Sequence, residues 1–314
     1  MRKEKSKDIN YLVKPLLNEK FFLGENVIWD HNRSLLLWTD IEGKTFNSCS
    51  ENGLNYKKIK LNEKLCSFGL TRQNKIIAAF EKGLFICDLN LNIIKKIFDF
   101  NKKNKNIRLN DGKCDTFGRF IVGGYNETGN VNTKIISLNS NLNISNLINK
   151  IGCTNSIEFS NCGNYFYYSD SFFKHIYKCN YDNKQGKILR SKIFVKLKNN
   201  EGFPDGSCID NDHGLWNAQY NGSCVQEFKE DGSYGNKIYI PCPQVTCVCI
   251  GGKNLDVVFI TTAKENWTSE LDKKYPLAGS IFYAKLNLFS NAKGRKINMF
   301  DDKLINYSTV TNSY

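Results

Sequence analysis

The feature that most constrains this chain is a sixfold internal repeat. A short apolar run, a polar turn and a second apolar run recur roughly every 40 to 50 residues, a spacing typical of propellers and other repeat architectures. The copies are ENVIWDHNRSLLLWTD from Glu25, CSFGLTRQNKIIAAF from Cys66, NDGKCDTFGRFIVGGY from Asn110, TNSIEFSNCGNYFYYSD from Thr154, PDGSCIDNDHGLWNAQY from Pro204 and VTCVCIGGKNLDVVFITTA from Val245. Each reads as strand, tight turn, strand. The turns DHNR, RQNK, DTFG, SNCG, DNDHG and GGKN are built of residues that tolerate turn dihedrals or satisfy turn backbone groups. A third strand follows in every copy: KTFNSCS, GLFICDL, KIISLNS, HIYKCNY, SCVQEFK and SIFYAKL. Three strands and a fourth, less regular one, six times over without a comparable helical pattern, predict an all-β, six-bladed β-propeller.

No stretch rich in Pro, Gly or Ser splits the chain, so residues 1–314 read as one domain. Residues 1–20 form an N-terminal arm. Within and just after it, Tyr11-Leu12-Val13 and Phe21-Phe22-Leu23 are candidates for an outer strand closing the ring against the last blade. The tail from Asn287 to Tyr314 carries no clear pattern.

Composition removes several function classes. The 21 Phe, 15 Tyr and 4 Trp exclude a disordered chain. No apolar run approaches the ~18 residues of a membrane span, and Lys14 interrupts the apolar stretch near the N-terminus before a signal sequence can form. The expectation is a cytoplasmic protein that engages no membrane. The formal charge of +13 would suit nucleic acid, but Lys and Arg are scattered along the chain, and the block Lys102-Lys103-Asn104-Lys105 reads as a solvated loop. No nucleic-acid partner is expected. Twelve Cys without a C-x-x-C pair, in a long chain without a signal, are expected to be reduced. Cys49, Cys87 and Cys179 fill a third-strand slot that Leu138 and Phe228 take in other copies, as small core hydrophobes do. Three His at no metal-binding spacing give little to a zinc site or a Ser-His-Asp triad. Gly43-Lys44-Thr45 lacks the first Gly of a phosphate-binding loop, because Trp38 stands there.

In a propeller the innermost strands line a central channel, so equivalent repeat positions form a ring. Aligned before the turn, these positions are Glu25, Cys66, Asn110, Asn155, Asp205 and Val245 or Thr246. Four are oxygen donors. A single Asn or Asp at a strand start usually serves a turn. Carboxylates converging on one axis, however, repel unless a cation lies between them. An all-oxygen set selects a hard ion, Ca²⁺ first, with Mg²⁺ or Mn²⁺ as alternatives.

The ordered set LGENVIWD, RLNDGKCDTFGRF, TNSIEFSNCGNYFYYSD, GFPDGSCIDNDHGLWNAQYNG and PLAGSIF resembles the gluconolactonase, regucalcin and luciferin-regenerating-enzyme family from about Phe22 to Phe282. The resemblance implies a six-bladed propeller with one divalent metal, for which Zn²⁺ joins the alternatives, held by Glu25, Asn155 and Asp205. It further implies that Arg108 and Asn110 contact a sugar lactone, and that Glu127 approximates the family's substrate-side acid. This chain departs from the family in carrying Asn26-Val27 where Gly-Pro usually follows the metal-binding Glu. The expected function is metal-dependent hydrolysis of aldonolactones such as glucono-lactone, by a monomer or weak homodimer. Lactone hydrolysis needs charge stabilised on the carbonyl oxygen and a base for the attacking water. Asp205 is the candidate base as well as a ligand. Without the resemblance, Arg108 reads equally well as a surface cation paired with Asp111. Two alternatives remain: a non-catalytic calcium-binding regulatory or interaction propeller, and a hydrolase of another lactone or a phosphotriester.

Overall fold

Six four-stranded antiparallel sheets make up the structure, a computed structural model that describes residues 11–100 and 104–307. They are the blades of a six-bladed β-propeller. The innermost strands are Gly24–Asp30, Leu65–Leu70, Ile107–Cys114, Thr154–Phe159, Phe203–Ile209 and Val245–Gly251. Each packs against the next, and Val245–Gly251 packs against Gly24–Asp30, which closes the circle. Inner and second strands are buried along almost their whole length because neighbouring blades cover both faces. Outer strands such as Lys57–Lys60 and Lys187–Lys196 are largely exposed and carry the lysines.

The turn residue closing each inner strand works the same way in five blades. Asp30, Asp115 and Asp210 accept amide hydrogens two to four residues ahead. Thr71 accepts from Lys75 N and Ser160 from Tyr165 N. This is why short polar residues recur there. The third-strand slot is uniform as well: Cys49, Cys87, Leu138, Cys179 and Phe228 are each fully buried. Each pairs with a residue of its blade's second strand. All twelve cysteines are free of disulfides, and ten are buried.

The outer strand of the last blade comes from the opposite end of the chain. Lys14–Pro15 pairs with Phe282–Lys285, and Leu23 bridges Ala263. The pairing residues thus lie just past Tyr11 and Leu12, which are exposed. The tail, unreadable in sequence, runs under the ring from blade to blade. Gly294 N donates to Leu255 O, Asn298 Nδ2 to Cys114 O and Phe300 N to Leu70 O, at 2.8, 3.1 and 2.8 Å. Of the basic block, Lys102 and Lys103 lie outside the described residues, as do residues 1–10 of the N-terminal arm. No helix among the described residues is long and apolar enough to cross a membrane.

Candidate functional site

Every inner strand breaks register with its neighbour at the ring position. The shifts fall between Glu25 and Ile28, Leu65 and Ser67, Leu109 and Gly112, Asn155 and Glu158, Pro204 and Ser207, and Val245 and Cys247. A β-bulge turns a side chain away from the regular alternation. Here six bulges lie at one level of the channel. Glu25, Asn110, Asn155 and Asp205 consequently line one cavity of about 380 Å³ at the upper mouth, a volume in the small-molecule range of about 300–1,000 Å³. Cys66 instead meets Arg108, and the Thr246 hydroxyl is used up by Gly24 O and Thr261.

The segments carrying Glu25 and Asn155 are held alike. Asp40 accepts from the Phe22 and Leu23 amides, just ahead of Glu25, and Asp170 accepts from those of Gly152 and Cys153, just ahead of Asn155. Asn26 and Ser156, the residues that follow, both adopt positive φ, at 46° and 56°. That backbone suits glycine or asparagine, which accounts for the tolerance of Asn where the family has Gly. Asn26 adds a stitch that glycine lacks: its Oδ1 accepts from Phe68 N and Ser67 Oγ in the next blade.

A line of hydrogen bonds crosses three blades. Arg108 Nη1 donates to Asn110 Oδ1 (2.6 Å), Asn110 Nδ2 to Asn155 Oδ1 (3.1 Å), Asn155 Nδ2 to Ser171 Oγ (2.9 Å), and Ser171 Oγ to Pro204 O (2.6 Å). The chain orients both amides and ends one residue before Asp205. The Asp205 backbone is gripped in turn by Ser156 Oγ and Asn217 Nδ2 on its carbonyl.

The charges are uneven. Glu25 and Asp205 line the same cavity and the charge of Glu25 disfavours that of Asp205, a repulsion that a proton or a cation between them relieves. Burial, then Asp111, pushes the Glu25 carboxyl up to about 8. Burial, then Glu25 and Asp111, pushes Asp205 well above its ordinary value. Among the described residues no three His, Cys, Asp or Glu side chains gather as a metal cluster. The donor set is two carboxylates and an amide oxygen, all hard ligands.

Arg108 is buried rather than superficial, and its partners are Glu127 Oε1 (3.2 Å), Asn110, Leu109 O and the Tyr125 ring, with 4.8 Å to the ring centroid. Asp111 is not among them. That carboxylate accepts from Ile157 N, so the surface ion-pair reading of Arg108 is corrected. Glu127 stands behind Arg108, more than a third exposed and away from the cavity wall. Sequence reasoning missed Tyr125, Ser171, Tyr220 and Glu265, which do line the cavity. Ser171 and Glu265 follow the second strands of their blades, outside the repeat, whereas Tyr125 and Tyr220 close their copies of it away from the ring position; only the acidic and aromatic character of Glu265 and Tyr220 offered a signal.

Residues 23–264 match the family described as the SMP-30/gluconolactonase/LRE-like region. The chain belongs to this family. It is 30% identical over 268 residues to L-arabinolactonase of Azospirillum brasilense, covering 84% of this chain and 88% of that one. It is 25% identical over 281 residues to 6-deoxy-6-sulfogluconolactonase of Pseudomonas putida, covering 89% and 97%. The fold superposes on a calcium-binding regucalcin of Agrobacterium tumefaciens with a TM-score of 0.86 at 20% identity, covering 92% of this chain and 97% of that one. The SMP-30/gluconolactonase/LRE-like family thus includes sugar lactonases.

Proposed function

We propose that this protein hydrolyses sugar lactones with a divalent cation, Ca²⁺ first, held by Glu25, Asn155 and Asp205. The observation carrying the reading is the convergence of two mutually repelling buried carboxylates and an oriented amide beside Arg108 and Asn110 on one cavity. The family membership and the names of the lactonase relatives support the same chemistry. The donor set suits a hard cation because removing the repulsion between Glu25 and Asp205 needs positive charge or protons. When bound, such an ion supplies polarisation of the lactone carbonyl.

The chain's own residues do the rest. Asp205 accepts a proton from the attacking water, and its main-chain carbonyl is held by Ser156 and Asn217. Arg108 and Asn110 hold the sugar's hydroxyl and ring oxygens, with Glu127 fixing the guanidinium from behind. Asn155 keeps its oxygen toward the site because its amide nitrogen is committed to Ser171. The test is hydrolysis of glucono-lactone and arabino-lactone by protein treated with chelator and then resupplied with Ca²⁺, Mg²⁺, Mn²⁺ or Zn²⁺. Activity that disappears with chelator and returns with one of these ions supports the reading. Ion binding without hydrolysis of any lactone would replace it with a calcium-binding, non-catalytic role.

A further inference from the structure

Glu265 follows the last blade's second strand, Val257–Thr262, and lines the upper cavity. Its main chain is clamped from both sides by one buried side chain: Gln244 Oε1 accepts from Glu265 N (2.8 Å) and Gln244 Nε2 donates to Glu265 O (3.0 Å). Tyr220 Oη donates to Oε2 at 3.2 Å, so the phenol occupies one carboxylate oxygen only. Next in the chain, Asn266 adopts φ of 52°, which turns the loop away immediately after Glu265. A loop carboxylate with no task at the cavity needs no such clamp.

Its relation to Arg108 is equally informative. Both line the cavity and they attract, the guanidinium pulling down a carboxyl that burial raises. Among the described residues, however, the ion pair of Arg108 is with Glu127, and its other contacts go to Asn110, Leu109 O, Cys66 and the Tyr125 ring. A fixed donor and a fixed acceptor that attract without touching are matched to a ligand bearing hydroxyl groups, each able to accept from one and donate to the other.

We propose that Glu265 is the specificity residue of this site, accepting hydrogen bonds from hydroxyls of a neutral polyhydroxylated lactone and repelling lactones that carry phosphate, sulfonate or carboxylate. This inference rests on the lactonase reading. It transfers the substrate-side acid from Glu127, which stands outside the cavity wall, to a residue within it.

The experiment compares kcat and KM for glucono-1,5-lactone and 6-phosphoglucono-1,5-lactone in the unmodified protein, Glu265→Gln, Tyr220→Phe and Glu127→Gln, all with saturating Ca²⁺. Loss of a hydrogen bond to a charged group is expected to raise KM for the neutral lactone by about 10- to 100-fold in Glu265→Gln, with kcat changing less. KM for the phosphorylated lactone should fall in the same variant. Tyr220→Phe should move both in the same sense by less, because it loosens the carboxylate without removing its charge. An unchanged neutral-to-anionic preference in Glu265→Gln, or one that shifts only in Glu127→Gln, would overturn the proposal. If the unmodified protein hydrolyses neither lactone, the lactonase reading fails separately, and calorimetric titration with 1,5-anhydroglucitol, a neutral cyclic polyol, decides the remainder. Weaker binding of this polyol by Glu265→Gln then supports the specificity role, and equal or absent binding contradicts it.

Discussion

The upper and lower ends of the central channel are lined by the same inner strands, yet they bury charge in opposite ways. At the lower end Glu158 receives Lys113 Nζ at 2.7 Å and Arg295 Nη2 at 2.6 Å, and Lys113 also donates to Ser207 O. Burial pushes the Glu158 carboxyl up, but Lys113 and Arg295 outweigh it and hold the group below its ordinary value of 4.5. The space left there is about 60 Å³, closed from below by Arg295–Asn298 of the tail. At the upper end Glu25, Asp205 and Glu265 are all raised by burial, and the nearby Arg108 is already paired with Glu127. The lower network is complete and the upper one is not. A buried charge with its partners in place is architecture, whereas carboxylates brought together without them are where we propose that an external cation and ligand bind.

The sharpest way to break this contrast is at Asp205. Asp205→Asn keeps an oxygen donor and removes the proposed base, so lactone turnover should fall by about 10² to 10⁴ even at saturating metal. Asn155→Ala removes a proposed ligand with no basic role and should be partly rescued by excess metal. Near-normal turnover in Asp205→Asn would move the base elsewhere. At the lower end the damage should appear in stability instead. Glu158→Gln strands Lys113 and Arg295, a loss of about 3–5 kcal/mol in denaturant unfolding, with metal affinity at the upper mouth retained. A neutral effect on unfolding would mean the network is not balanced as described.

Smaller and more diagnostic is the pH dependence of the chelator-treated protein. Glu158, depressed when folded, contributes stability that is present above 4.5 and lost as pH falls through its lower folded value. Glu25, raised to about 8, contributes in the opposite sense: its share is present below 4.5 and lost as pH rises toward 8. Thermal unfolding of Glu25→Gln should therefore lose stability less steeply than the unmodified protein between those values, while Glu158→Gln should lose the acid limb. Identical profiles for all three would contradict the electrostatic contrast.

The two ends also differ in how far they could be read from sequence. Glu25, Asn110, Asn155 and Asp205 stand at equivalent repeat positions, each five residues before the turn residue Asp30, Asp115, Ser160 or Asp210. Periodicity therefore exposed the ring, along with the blades and the core slot of Cys49, Cys87 and Cys179. The bulges that aim the ring inward leave no mark in composition. The Arg295–Glu158 pair joins residues 137 apart, through a tail that has no repeat to place it. Glu265 and Tyr220 meet in space only because two blades converge on one mouth, a tertiary fact that no local pattern encodes.

We propose that a divalent cation completes the upper carboxylates. The most direct test is calorimetric titration of chelator-treated protein with Ca²⁺, alongside the double variant Glu25→Gln/Asp205→Asn. One ion per chain is expected in the unmodified protein, with a gain in unfolding free energy of about 2.7 kcal/mol at a free Ca²⁺ concentration of 100 Kd, and neither effect in the double variant. Equal binding by the two proteins, or no binding of Ca²⁺, Mg²⁺, Mn²⁺ or Zn²⁺ by the unmodified one, would contradict the proposal.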